Sequence, residues 1–261
     1  CCTASAGRAL PYYIANTWMK SVDNNSLAVM NFASTNVNTS IKGIKVNVIE
    51  ETEYPFNDKI VFTIYPEKPI SFAMHFRLPL DGDIEVITSA GAKISKNNGM
   101  LVLVRKWQKG DRIELIVNQP IVLEKTQDGS AWYYRKGDLV YALPFDSKVI
   151  AVTENARLKD GKPSGFFEYD IHVADKSAWG YRIDPDAKFE PITLEGDKLN
   201  PWKSSTRGIK GTMIDKIGKS IQVIMVPEGA TISRRVTFLD KSCAAEEAAK
   251  MPEGTKIGIG Y

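Results

Sequence analysis

Two adjacent thiols open the sequence, Cys1-Cys2, and a third cysteine, Cys243, stands far from them. Thiolates are what nucleophilic chemistry and zinc binding both require. The pair immediately precedes a segment of helical periodicity, and the unpaired N–H groups and macrodipole of a helix N-terminus favour an ionised thiol. A tetrahedral zinc site takes four ligands, yet no CxxC, HxH or other ligand spacing occurs in the chain. The pair is therefore at most half a metal site. It also reads as an ordinary structural pair, because three cysteines so arranged make no disulfide framework.

Other residues offer chemistry only beside a plainer reading. The run Glu50-Glu51-Thr52-Glu53 has the makings of the paired carboxylates of a glycosidase, or of a solvated strand end before a turn. His75 beside Arg77, and His172 beside Asp170, stand without a second His or Cys nearby, which suits half-exposed strand histidines. Trp107, Trp132, Trp179 and Trp202 suit a sugar-stacking platform, or the core of sandwich domains. No GxSxG, phosphate-binding loop or GxGxxG in strand-to-helix context appears. The residues alone thus yield a β-rich accessory region with a thiol pair, and no reaction.

The elements that must position these groups change character early. Thr3 to Met19 reads as helix, with Leu10, Ile14, Thr17 and Trp18 on one stripe, Thr3 or Ser5 as N-cap, and Pro11 as a kink or second start. From residue 27 the period becomes 2. Ile44, Val46 and Val48 alternate before the turn Tyr54-Pro55-Phe56-Asn57-Asp58, and Ile60, Phe62 and Ile64 alternate after it, predicting antiparallel pairing. Ile70, Phe72, Met74, Phe76 and Leu78 form another one-faced strand. Strands at 101–104 and 113–117 flank Lys109-Gly110-Asp111, and strands at 132–134 and 139–143 flank Arg135-Lys136-Gly137-Asp138. Phe167, Tyr169, Ile171 and Val173 share a face. Later strands fall at 209–214, 221–226 and 235–239, then a short helix at 243–250 and a Gly-rich tail. The fold class is mainly β: antiparallel β-sandwich modules behind one helix, with regions 1–21, 22–130 and 131–261.

Composition narrows the function classes. The 261 residues are 43% hydrophobic and 10% aromatic, with 34 Lys plus Arg against 31 Asp plus Glu, an ordinary globular balance. A net charge of +3 without a basic stripe argues against nucleic acid as partner. No apolar stretch reaches the roughly 20 residues of a membrane-spanning helix, and the first residues lack the pattern of a signal peptide. Opening on Cys1 rather than Met, the sequence reads as one whose start was set by processing, proteolysis or a chosen boundary.

As a string, Cys1-Cys2-Thr3-Ala4-Ser5-Ala6-Gly7-Arg8-Ala9-Leu10-Pro11-Tyr12-Tyr13-Ile14-Ala15-Asn16 resembles a segment of the β-L-arabinofuranosidase family, glycoside hydrolase family 127. Glu50-Glu51-Thr52-Glu53-Tyr54-Pro55-Phe56 resembles that family's strand and turn after the catalytic domain, and Arg105-Lys106-Trp107-Gln108-Lys109-Gly110-Asp111 a later hairpin. Arg135-Lys136-Gly137-Asp138-Leu139-Val140-Tyr141-Ala142-Leu143 is similar to its Arg-x-Gly-Pro-Leu-Val-Tyr-Ala-Leu hairpin, with Asp138 in place of Pro, and Trp179-Gly180-Tyr181 resembles a Trp-Asn-Tyr element.

The resemblance implies the C-terminal part of a retaining glycoside hydrolase acting on plant-type, β-L-arabinofuranoside-like glycans. Its active site would lie in an (α/α)6 barrel whose last helix is residues 3–19. It implies Cys1 as catalytic nucleophile and Cys1 and Cys2 as zinc ligands, with the other cysteine, the glutamate ligand and the acid/base glutamate outside this chain. The partners implied are a carbohydrate substrate and the helical barrel, and the compartment is the periplasm, the cell surface or the medium. Thr3-Ala4-Ser5 replaces the family's Pro-Pro-Asn after the pair, which marks a divergent branch. Two other readings stand beside this one: a non-enzymatic carbohydrate-binding or structural sandwich, lipid-anchored through Cys1, and a redox-active thiol pair.

Overall fold

In the computed structural model the described residues are 2–88, 91–154, 167–173 and 177–250. The chain divides into two compact units, residues 1–120 and 121–261. The first begins with α1 (Cys2–Ala15), followed by β1 (Trp18–Lys20), β2 (Ser26–Val29), β3 (Thr35–Ile41), β4 (Ile44–Thr52) and β5 (Lys59–Pro66). Then come β6 (Ile70–Arg77), β7 (Asp83–Thr88), β8 (Lys93–Asn97), β9 (Met100–Trp107) and β10 (Asp111–Asn118).

The helix ends earlier than its apolar stripe suggests. Asn16 Nδ2 donates to the Tyr12 carbonyl at 2.7 Å and Thr17 Oγ1 to the Tyr13 carbonyl at 3.0 Å. The Tyr12 carbonyl also keeps its helical bond from the Asn16 amide at 3.2 Å, whereas the Thr17 amide turns to the Ile14 carbonyl at 3.2 Å and leaves the Tyr13 carbonyl to the Thr17 hydroxyl and the Asn16 amide. Trp18, expected on the helix, instead starts β1. Pro11 lies inside α1 and does not begin a second helix.

The ten strands form two five-stranded sheets, ordered β1-β2-β6-β9-β8 and β3-β4-β5-β10-β7. Every pairing is antiparallel except β2 with β6, which run parallel because the chain visits the other sheet between them. Alternate side chains from both sheets fill one core, including Val46, Val48, Phe62, Ile64, Met74, Phe76, Leu103 and Leu115. At ~1.5–3 kcal/mol per large apolar side chain, that burial is the main force closing the sandwich. Two turns carry consecutive left-handed residues, Lys42-Gly43 and Asn98-Gly99, with φ of 50°, 78°, 49° and 73°. That geometry matches strand twist in two-residue hairpins, here β3–β4 and β8–β9.

The turn at Lys109-Gly110-Asp111 is not a hairpin. β9 pairs with β6 and β8, whereas β10 pairs with β5 and β7, so the chain changes sheets there. Asp111 fixes the corner, accepting from the Gln108 amide at 2.8 Å and from Arg105 at 3.2 Å.

The second unit contains β11 (Ile121–Lys125), β12 (Trp132–Lys136), β13 (Leu139–Pro144), β14 (Ser147–Glu154) and β15 (Phe167–Val173). It continues with β16 (Glu190–Thr193), β17 (Arg207–Ile214), β18 (Ser220–Pro227), β19 (Arg234–Arg235) and α2 (Ala245–Ala248). The main sheet runs β11-β12-β13-β18-β17-β16, with β19 against β13, and β14 pairs with β15 separately. Arg135-Lys136-Gly137-Asp138 does lie at a hairpin, between β12 and β13. β11 and β12 pair across residue 130, where the sequence reading divides the modules, so both arms belong to the second unit. The Gly-rich tail from Gly254 to Gly260 lies outside the described residues.

Candidate functional site

α1 begins at Cys2, and Cys1 lies outside the described residues. The apolar face that α1 presents is bare: Leu10 and Ile14, one turn apart, are each 61% exposed. Among the described residues no group of three His, Cys, Asp or Glu converges as a metal site. Cys2 is the first residue of α1, and a single thiol there is too few for tetrahedral zinc. Cys243 is a free, half-buried thiol in the second unit.

The acidic run divides into two environments. Glu50 is 1% exposed, whereas Glu51 and Glu53 are exposed. Position 50 continues the inward register of Val46 and Val48 along β4, so alternation places its carboxyl inside. There Oε1 accepts from the Ala33 amide at 3.1 Å and Oε2 from Thr35 Oγ1 at 3.1 Å. Thr35 Oγ1 in turn accepts from Trp18 Nε1 at 2.9 Å. The chain of bonds joins β1 of one sheet to β3 and β4 of the other. Burial pushes the Glu50 carboxyl up to about 8, while the bonds from Thr35 and Ala33 pull the other way. The expectation of a solvated acidic edge therefore fails for Glu50, which is a proton-holding group within the sandwich.

The tryptophans do not form a platform. Trp107 is fully buried and donates to the Phe72 carbonyl at 3.0 Å, as a core residue of the first unit. In the second unit Lys125 Nζ lies 4.8 Å from the Trp132 ring centroid, and Trp179 packs between Phe145 and Arg235. Trp202 is half exposed and packs on Gly229, where an added Cβ would come within 2.6 Å of its ring. His75 is half-buried on β6, between Ala28 and Val102 of the neighbouring strands, and His172 is exposed on β15 opposite Lys148. Neither histidine meets the other candidates in sequence register.

Two features were not among the sequence candidates. One is an open groove of about 820 Å³ on the first unit, lined by residues of β3, β4 and β5 and by Glu67 and Lys109. The other is a buried guanidinium. Arg182, 8% exposed, donates to the carbonyls of Lys241 (3.2 Å), Cys243 (2.7 Å) and Asp215 (2.9 Å). Arg182 sits in an irregular stretch that carries no periodic signal, whereas the groove's polar residues alternate with the core residues of their strands.

Residues 26–118, from β2 to the end of β10, match the family model described as β-L-arabinofuranosidase, GH127 middle domain. No curated protein sequence matches the chain. Among solved structures, a GH127 β-L-arabinofuranosidase from Geobacillus stearothermophilus T6 is similar, with a TM-score of 0.57 and 16% identity over 86% of this chain and 34% of that one. A structure titled glycoside hydrolase has a TM-score of 0.57 and 17% identity, over 85% of this chain and 37% of its own. A GH127 β-arabinofuranosidase has 0.55 and 17%, over 84% and 35%. The chain spans about a third of the length of these structures. No described helix is long and apolar enough to cross a membrane. Over residues 26–118 the chain carries the sequence pattern of the GH127 middle domain, and over most of its length it shares the fold of solved GH127 structures.

Proposed function

We propose that this chain is the β-sandwich accessory region of a retaining glycoside hydrolase acting on β-L-arabinofuranoside-like sugars of plant-type glycans. The match of residues 26–118 to the GH127 middle domain carries this reading. The bare stripe of Leu10 and Ile14 supports a role for α1 as the last helix of an (α/α)6 barrel contributed from outside these 261 residues.

In this reading Cys1 is the nucleophile, and Cys1 and Cys2 are the thiolate ligands that this chain gives to a zinc ion completed by residues elsewhere. Bound zinc would supply charge that keeps the thiols ionised. The chain's own contribution is placement. Cys2 is the first residue of α1, and at the other end of the helix the Thr17 carbonyl accepts from the Met30 amide just after β2 at 2.9 Å, which ties the helix to the sandwich. The compartment in this reading is the periplasm, the cell surface or the medium.

The test is turnover of an aryl β-L-arabinofuranoside by the longer protein that carries this chain and by the 261 residues alone. Hydrolysis by the longer protein and none by the isolated chain is expected. Hydrolysis by the isolated chain would refute the accessory role, and none by either would refute the glycosidase.

A further inference from the structure

The outward face of the β3-β4-β5 region is polar in an organised way. Asn38 stands opposite Asn47, and Asn47 opposite Tyr65, so one row of side chains crosses three adjacent strands. At ~4.8 Å between strands the row is about 10 Å long. The Asn47 side-chain NH2 shares its two hydrogens among the Asn36 side-chain oxygen, Asn38 Oδ1 at 2.9 Å and the Val37 carbonyl at 3.3 Å. One amide thus holds two others in place. The side-chain NH2 groups of Asn36 and Asn38 have no acceptor among the described residues, which leaves positioned donors facing outward.

Beside the row lies the groove of about 820 Å³, lined among others by Asn38, Ser40, Lys45, Asn47, Tyr65 and Glu67. Tyr65 is 37% exposed. An aromatic ring offers a flat apolar surface with a polar tip, suited to the C–H face of a pyranose or furanose. Amides and hydroxyls suit sugar hydroxyls, each of which donates and accepts. Lys45, Glu67 and Lys109 carry both signs of charge, so no single-sign field selects an ionic ligand.

We propose that this groove is a glycan-binding surface, distinct in place from the start of α1, on which a polysaccharide chain lies with one ring over Tyr65 and its hydroxyls on the Asn38–Asn47 row. It rests on the carbohydrate reading above and adds a second, non-hydrolytic contact with the same class of molecule. Such a surface would hold the polymer near the enzyme and raise its effective concentration at the hydrolytic site.

Affinity electrophoresis of the 261-residue chain through gels containing soluble arabinan or polygalacturonate tests it. The wild-type chain should be retarded by arabinan, Tyr65→Ala should weaken retardation at least tenfold, Asn38→Ala should weaken it severalfold, and Trp202→Ala should leave it unchanged. No retardation by arabinan, or retardation by polygalacturonate alone, would overturn the proposal. Loss of binding in Trp202→Ala with Tyr65→Ala unaffected would do the same. Thermal melts of each variant identify any loss that is only unfolding. Binding is read without turnover, so a failure here leaves the hydrolysis result standing, and a failure of hydrolysis leaves this one standing.

Discussion

In residues 1–120 the interior is closed by apolar side chains of β2–β7, β9 and β10, and the buried ionisable group among the described residues there is Glu50. In residues 121–250 apolar side chains such as Leu143, Ile209, Met213 and Phe238 are buried too, and arginines in addition tie irregular segments together. Arg182 gathers the carbonyls of Asp215, Lys241 and Cys243, and Arg235 donates to the carbonyls of Trp179 and Ala248 while lying against the Trp179 and Phe238 rings. An acid inside the first unit holds its proton because burial removes the water that would stabilise its charge. An arginine inside the second spends its donors on carbonyls, because the guanidinium presents five N–H groups in a fixed fork. The lesson is that a periodic core needs few polar ties, whereas loops folded onto a sheet need a donor-rich side chain to collect their orphan carbonyls.

The largest effect that would break this contrast is a cavity in the first core. Phe62 is fully buried, with Trp18 and Phe76 ring centroids 5.9 and 5.1 Å away. Phe62→Ala should destabilise the first unit by about 3–5 kcal/mol. Hydrogen exchange resolved by segment should show the loss across residues 18–118, with residues 121–250 unchanged. Next comes Arg182→Met, which strands three carbonyls and should cost about 2–4 kcal/mol. Amide exchange should then rise first in residues 240–250, the segment whose carbonyls the guanidinium holds.

Glu50 sharpens the comparison through pH. Its carboxyl titrates near 4.5 when unfolded and about 8 when folded, so between those values the folded state binds more protons. Its contribution is fully present below about pH 4.5 and is lost as pH rises through about 8, a change of a few kcal/mol. Melts of the first unit should thus weaken from pH 5 to pH 8.5, and Glu50→Gln should flatten that slope. The smallest effect belongs to the surface pair of Lys96 and Asp83, whose side chains are 45% and 56% exposed. Lys96→Ala should leave the urea midpoint unchanged within error, since exposed pairs are screened and entropically costly.

The same contrast decides what was legible in the sequence. The strand at Ile70–Arg77 follows from alternation alone, and so does the inward place of Glu50, once the parity of Val46 and Val48 is carried two residues further. The acidic neighbours Glu51 and Glu53 hide it. The corner at Gly110 reads like a hairpin because turn residues report a reversal of the chain and not which sheet receives it. Trp18 reads as helix because its stripe continues, while the ladder ends at Thr17, whose amide bonds the Ile14 carbonyl and whose hydroxyl takes the Tyr13 carbonyl. Arg182 left no periodic trace, as its partners are carbonyls scattered along the chain. The thiol pair reads as chemistry through the family resemblance alone, since Cys1 lies outside the described residues.

That pair is where the account is most directly tested. In the longer protein proposed to carry this chain, hydrolysis of an aryl β-L-arabinofuranoside should fall at least a thousandfold, by about 4 kcal/mol in transition-state stabilisation, in Cys1→Ala and remain near wild type in Cys243→Ala. Equal activity of Cys1→Ala and the wild type would contradict the assignment of Cys1 as nucleophile, and with it the place of this chain at the edge of a thiolate active site.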